Sequence, residues 1–164
     1  MSVGEDGRAS LRALAHPVRL RMLSLLTGVS LTAAEVAREL GITHANASYH
    51  LRNLFASGLI VAAGEEKIRG GLAKRYRYEP GKFTPEQACP AAAGELTRRA
   101  EGRPGGAGVL GVAEVWIEPA VWRDVRDRIA AALHDLHAAS RPPGAAGTIR
   151  TSVTVALFEM DDPR

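Results

Sequence analysis

The stretch Gly41-Ile-Thr-His-Ala-Asn-Ala-Ser-Tyr-His-Leu-Arg-Asn-Leu-Phe-Ala-Ser-Gly-Leu59 decides how the rest of the chain reads. Gly41 can take φ > 0 and so end a preceding helix. Thr43 offers a side-chain oxygen to the open amides of a new first turn, as an N-cap does. Gly58 is placed to end that helix, and Leu59 to return the chain to a core. Advancing about 100° per residue puts Ala47, Leu51 and Leu54 on one side, flanked by His50 and Phe55. Ala45, Ser48, Tyr49 and Arg52 fall opposite. The first side is small and apolar, suited to packing on a neighbouring helix. The second carries hydroxyls, a phenol and a guanidinium, groups able to hydrogen-bond base edges and phosphates. An ordinary amphipathic surface helix divides the same way, so the flanking chain must choose between them.

Upstream, Ser10 to Ala15 reads as a short helix with Leu11 and Leu14 inward. His16-Pro17 breaks it, because the residue before proline avoids the α region. Pro17 suits the first turn of a second helix, running to about Thr27 with Val18, Met22, Leu25 and Leu26 along its stripe and Leu23 beside it. Thr32-Ala-Ala-Glu35 is a capping box. It opens a third helix, Ala33 to Leu40, with Val36, Ala37 and Leu40 inward. Only Gly41, Ile42 and Thr43 separate this helix from the one quoted first, which makes the pair a helix-turn-helix rather than a plain helical hairpin.

Downstream, Leu59 to Ala63 is short, apolar and β-prone, and the Gly- and Glu-rich run from Gly64 to Gly71 reads as a loop. Ala73 to Glu79 follows as a second strand. Its alternation sets Lys74, Tyr76 and Tyr78 on one face and Arg75 and Arg77 on the other. The two strands form a hairpin, or wing, bearing Lys67, Arg69, Lys74, Arg75 and Arg77. Cations so placed beside a helix-turn-helix point to phosphate contacts, which give affinity rather than sequence choice; a solvated charged hairpin is the alternative.

The second half is less explicit. Thr84 to about Ala100 reads as a helix interrupted by Pro90 and Gly94, and Gly102 to Gly108 as a linker. Val109 to Ile117 reads as a strand. Pro119 opens a long helix to about Ala139, with Val121, Val125, Ile129, Ala132 and Leu136 as its stripe and an i,i+4 pair of Asp124 and Arg128. Arg141 to Gly147 is a second linker, and Thr148 to Met160 a further strand. Two strands and a helix cannot close a core alone, so this unit must pack on the 84–100 helix, on the first half, or on a second copy. Trp116 and Trp122 read as core residues, with the lining of an effector pocket as the alternative.

Composition sets outer bounds. The chain has 164 residues, 46% apolar and 24% charged, ordinary for a globular protein of one domain or two small ones. No apolar run approaches the roughly 18 residues of a membrane span, and the first residues lack the apolar core of a secretory signal, so a cytoplasmic location without membrane contact is expected. Cys89 is the single cysteine, which excludes an intrachain disulfide and a thiolate cluster within one chain. Residues 1–82 hold 12 Lys/Arg and 7 Asp/Glu, a net of +5; residues 83–164 hold 9 and 11, a net of −2. A basic first half suits a polyanionic partner. No nucleophile–base spacing, phosphate-cradling loop or paired-carboxylate motif points to an enzyme.

With the elements in order, the chain resembles the ArsR-type winged-helix transcriptional regulators. The resemblance rests on His16-Pro-Val-Arg-Leu-Arg-Met-Leu23, on Ser48-Tyr-His-Leu-Arg-Asn-Leu54, on Ser57-Gly-Leu-Ile60, and on the wing from Arg69-Gly-Gly71 through Tyr76-Arg-Tyr78. It spans residues 9–80. It implies a homodimer on a pseudo-palindromic double-stranded operator, usually a repressor released by an effector of unspecified chemistry. Carried onto this chain, the DNA contacts would be Thr43, His44, Ala45, Asn46, Ser48, Tyr49 and Arg52, with Lys67, Arg69, Lys74 and Arg75 in the wing, while His50 would be structural. The fold expected is α+β: a winged helix-turn-helix DNA-binding domain over 1–82 and a C-terminal α/β dimerisation and effector region over 83–164.

Two departures narrow the family reading. The Cys-x-Cys of metal-sensing members is missing from Ala33-Ala-Glu-Val-Ala37. Others bind zinc between C-terminal helices, and His134 and His137 form an i,i+3 pair that could share an ion. Exposed helix histidines are the plainer reading, so no cofactor or metal is expected. The rival functions are a zinc-responsive regulator using these two residues and a winged helix serving protein–protein contact.

Overall fold

The computed structural model describes residues 16–81, 85–102 and 107–161; the side chains of 85–87 are not described. The expected 10–15 helix lies outside the described residues. The elements, in chain order, are α1 (Pro17–Leu25), β1 (Leu31–Thr32), α2 (Ala33–Leu40), α3 (His44–Ala56), β2 (Ile60–Ile68), β3 (Gly71–Tyr78), α4 (Pro85–Glu101) and α5 (Pro119–Ala138). The three strands form an antiparallel sheet in the order β1-β3-β2.

Local chemistry fixes the helix boundaries where the sequence places them. The Thr32 hydroxyl accepts from the Glu35 amide at 3.3 Å, and the Glu35 carboxylate accepts from the Thr32 amide at 2.7 Å, closing the capping box. Gly41, at φ 65, then lets the Ile42 amide fold back to the Ala37 carbonyl at 3.0 Å and end α2. Thr43 caps α3 through the Asn46 amide at 3.2 Å. At the other end Gly58, at φ 70, lets the Leu59 amide reach the Leu54 carbonyl at 3.0 Å.

The core lies where α1, α2 and α3 meet the sheet. Met22, Leu23 and Leu26 enter it from α1 and its end, Leu31 from β1, Val36 and Ala37 from α2, Ala47, Leu51 and Leu54 from α3, and Leu59 and Ile60 from the start of β2. Burial of this set provides most of the driving force for this half, at about 1.5–3 kcal/mol for each large side chain.

The wing is longer than the composition implies. β2 continues through Gly64 to Ile68, where a loop is expected, and only Arg69 and Gly70 turn the chain before β3. The register shifts between Ala62 and Glu65, a bulge that absorbs the glycine, after which Glu65 faces Lys74 and Ile68 faces Gly71. Pairing with β3 overrides the low strand preference of Gly and Glu. β3 is also bridged to β1, with Leu31 opposite Tyr76 and Thr32 opposite Arg75.

α4 runs unbroken through Pro90 and Gly94, contrary to the interruption expected there. A proline inside a helix costs about 3 kcal/mol. Packing of Ala91 on the core and the pairing of buried Glu95 with Arg98 and Arg99 oppose that cost. Arg99 also donates to the Ser24 and Ser152 hydroxyls, joining α4 to α1 and to the C-terminal segment.

The C-terminal half departs most from expectation. α5 forms as expected, with Asp124 and Arg128 3.4 Å apart, but none of its residues is buried. Residues 109–117 and 148–160 are not in a sheet, although both read as strands. A strand exists only with a ladder partner, and among the described residues these segments have none. Trp116, expected in a core, is 80% exposed, and the Trp122 indole donates to Glu159 at 2.8 Å. α5 abuts the first half at Gly28, where a Cβ would lie 2.5 Å from the His137 carbonyl oxygen. Among the described residues no helix is long and apolar enough to cross a membrane.

Candidate nucleic-acid interface

The two faces of α3 separate as its sequence requires. Ala47, Leu51 and Leu54 are fully buried, and His50 is 6% exposed. Thr43, His44, Ala45, Asn46, Tyr49 and Arg52 are exposed, and Ser48 is half-buried. These residues therefore form one outward strip over the first three turns. The Thr43 hydroxyl is committed to its cap, and the Arg52 Nε donates to the Ser48 carbonyl at 3.3 Å, which lays the guanidinium along the helix. The helix N-terminus, with its open amides and positive dipole end, lies beside His44 and Asn46. Phe55, on the flank, meets the Tyr76 ring edge-on with centroids 6.0 Å apart, tying the end of α3 to β3.

Behind this strip lies a contact that the sequence did not suggest. The His50 ring packs against that of His16, with centroids 4.5 Å apart, and the edge of Tyr49 lies 5.3 Å away. Both histidine Nδ1 atoms are buried and have no hydrogen-bond partner among the described residues. Burial, then the neighbouring His16 and Arg19 charges, hold His50 below its ordinary pKa, so its imidazole is neutral near pH 7. This supports the structural role expected for His50.

The wing cations divide into two groups. Lys67, Arg69 and Lys74 are exposed. Arg77 pairs with Glu79 at 3.1 Å. Arg75, expected to contact DNA, is turned into the fold: it pairs with Glu66, lies 3.2 Å from Glu35 and donates to the Ser30 carbonyl at 2.6 Å. Burial pushes the Glu35 carboxyl up, but the Thr32 hydrogen bonds and the Arg75 charge outweigh it and leave the group lowered, hence ionised. Strand alternation told which face Arg75 occupies; it could not tell that two carboxylates from other elements share that face.

His134 is exposed and His137 half-buried, and among the described residues no group of three or more His, Cys, Asp or Glu side chains gathers to hold a metal ion. Cys89 is a half-buried free thiol on α4.

A helix-turn-helix domain family matches residues 14–61, covering α1, β1, α2, α3 and the start of β2. Within that stretch α2 and α3, joined by Gly41, Ile42 and Thr43, form a helix-turn-helix. With the β2–β3 hairpin attached, the fold is a winged helix-turn-helix. Among solved structures the chain is similar to HlyU from Vibrio cholerae N16961, at 22% identity and a TM-score of 0.40, over 57% of this chain and 94% of that one. It is also similar to an ArsR-like transcriptional regulator from Rhodococcus sp. RHA1, at 18% identity and a TM-score of 0.39, over 85% of this chain and 100% of that one. A third likeness is to the homodimeric winged helix-turn-helix DNA-binding domain (fragment 1-100) of Mb0332 from Mycobacterium bovis, a possible ArsR-family regulator, at 25% identity and a TM-score of 0.36, over 60% and 90% of the two chains. No curated protein matches the chain.

Proposed function

We propose that this chain is an ArsR-type, sequence-specific regulator of transcription, which binds a pseudo-palindromic double-stranded operator as a homodimer and represses until an effector binds. The observation that carries the reading is α3, whose apolar face is sealed into the core while Asn46, Ser48, Tyr49 and Arg52 line the opposite side. α3 enters the major groove, where the Arg52 guanidinium and the Asn46 amide carry groups that can hydrogen-bond base edges. His44, Ala45 and Tyr49 complete the contact strip, and Thr43 serves as its cap. Lys67, Arg69 and Lys74 supply phosphate contacts from the wing.

The partner that completes the C-terminal half is a second copy. Among the described residues of this half, Val109, Leu110, Val112, Trp116, Ile149 and Phe158 are exposed and no residue of α5 is buried, and exposed apolar side chains gathered in one region mark an interaction surface. Two-fold symmetry then sets two α3 helices about one DNA turn, ~34 Å, apart. No residue is assigned a catalytic role.

Titration of the full chain against random duplex DNA at two salt concentrations tests this. Binding that falls steeply with salt is expected. Binding that ignores salt, or no binding, would leave the winged helix as a protein-contact module.

A further inference from the structure

Arg75 occupies the root of the wing. β1 pairs with β3 only at Tyr76 and Arg75, so from Lys74 outward the hairpin is a two-stranded ribbon. Such a ribbon is marginal in water by itself, and its direction depends on what grips its base. Arg75 supplies that grip. Its guanidinium reaches Glu66 on β2, Glu35 in the first turn of α2 at 3.2 Å, the Ser30 carbonyl at 2.6 Å and the Ser30 hydroxyl at 3.4 Å. Glu35 is the same carboxylate that accepts from the Thr32 amide at 2.7 Å and the Thr32 hydroxyl at 3.1 Å. One group thus connects the capping box of the helix-turn-helix to both strands of the wing.

Charge separates this role from phosphate binding. Two carboxylates around one guanidinium leave the node at a net −1, which repels a phosphate. Moving Arg75 to DNA would also strip Glu35 and Glu66 of their shared cation. The geometry points to Arg75 as a positioning residue: it fixes the wing, and with it Lys67, Arg69 and Lys74, relative to α3, and makes no phosphate contact itself. This assignment rests on the DNA-binding reading above.

The test compares the wild-type chain with Arg75→Met and Lys74→Met, each titrated with one random-sequence duplex over a range of salt. Lys74→Met is expected to lower the log–log salt slope by about 0.9, the loss of one phosphate contact. Arg75→Met keeps the wild-type slope, binds about three- to tenfold more weakly at every salt, and exchanges the amides of β2 and β3 faster. Arg75→Lys, which keeps a cation between Glu35 and Glu66, recovers part of the affinity. Should Arg75→Met fail to fold, Arg75→Gln, which keeps a hydrogen bond to Ser30, makes the same comparison. A slope loss of about 0.9 in the Arg75 variant, with the wild type binding normally, overturns this inference alone. A wild type that shows no salt-dependent binding overturns the DNA reading and this inference together.

Discussion

Replacing Leu51 by alanine should unseat the outward strip of α3 without touching it. Leu51 is fully buried between Ala47 and Leu54, in the cluster that also holds Met22, Val36 and Ile60. The change removes about three methylene equivalents, worth ~0.8 kcal/mol each, or about 2.4 kcal/mol. An unrelaxed cavity of about 75 Å³ adds about 1.8 kcal/mol at ~24 cal/mol per Å³. Partial collapse brings the expected loss to about 2.5–4 kcal/mol, a large share of the roughly 5–15 kcal/mol that holds a small domain folded. Urea unfolding followed by circular dichroism reads this as a lower midpoint at constant slope. Arg52→Ala is the paired control: its side chain is exposed, so stability should move by no more than about 0.5 kcal/mol while DNA selectivity relaxes. A loss below about 1 kcal/mol for Leu51→Ala would mean that α3 is not seated as described, and the division of its faces would fall with it.

Other perturbations probe separate joints. Thr32→Ala removes the hydroxyl half of the capping box at a position 5% exposed and should cost about 1 kcal/mol in urea unfolding; an unchanged midpoint would contradict the cap. Because His50 is held below its ordinary pKa in the fold, the unfolded chain takes up its proton first. Stability should therefore be full above about pH 6.5 and fall as pH drops from there toward the folded value. His50→Gln should flatten that limb, and an equal acid loss in the variant would assign it to another group. Gly28, at φ 78 and with the His137 carbonyl 2.5 Å from where a Cβ would sit, should not accept alanine. Gly28→Ala is expected to loosen the end of α5, seen as faster amide exchange there, and wild-type protection would refute the contact.

The first half was legible because its signals are local. Caps at Thr32 and Thr43, glycines at 41 and 58, and the spacing of Ala47, Leu51 and Leu54 each act within a few residues, and each appears in the fold as read. Arg75 was not legible. Its surroundings come from Ser30, Glu35 and Glu66, up to 45 residues away, and the registers of β1 and β2 on β3 bring them together. The His16–His50 contact is non-local in the same way. The C-terminal segments show a third limit: alternation in 148–160 says which residues would share a face, but a strand needs a neighbour, and none lies among the described residues. Trp116 read as core, yet burial depends on what covers it, and it is 80% exposed.

Selection of bound duplexes from a random pool by the full chain tests the central claim most directly. A palindromic consensus with half-sites about 10 base pairs apart is expected, and Arg52→Ala should blur it at one position in each half-site. Failure to enrich any sequence, or a consensus that neither Arg52→Ala nor Tyr49→Ala alters, would mean that the outward face of α3 does not read DNA.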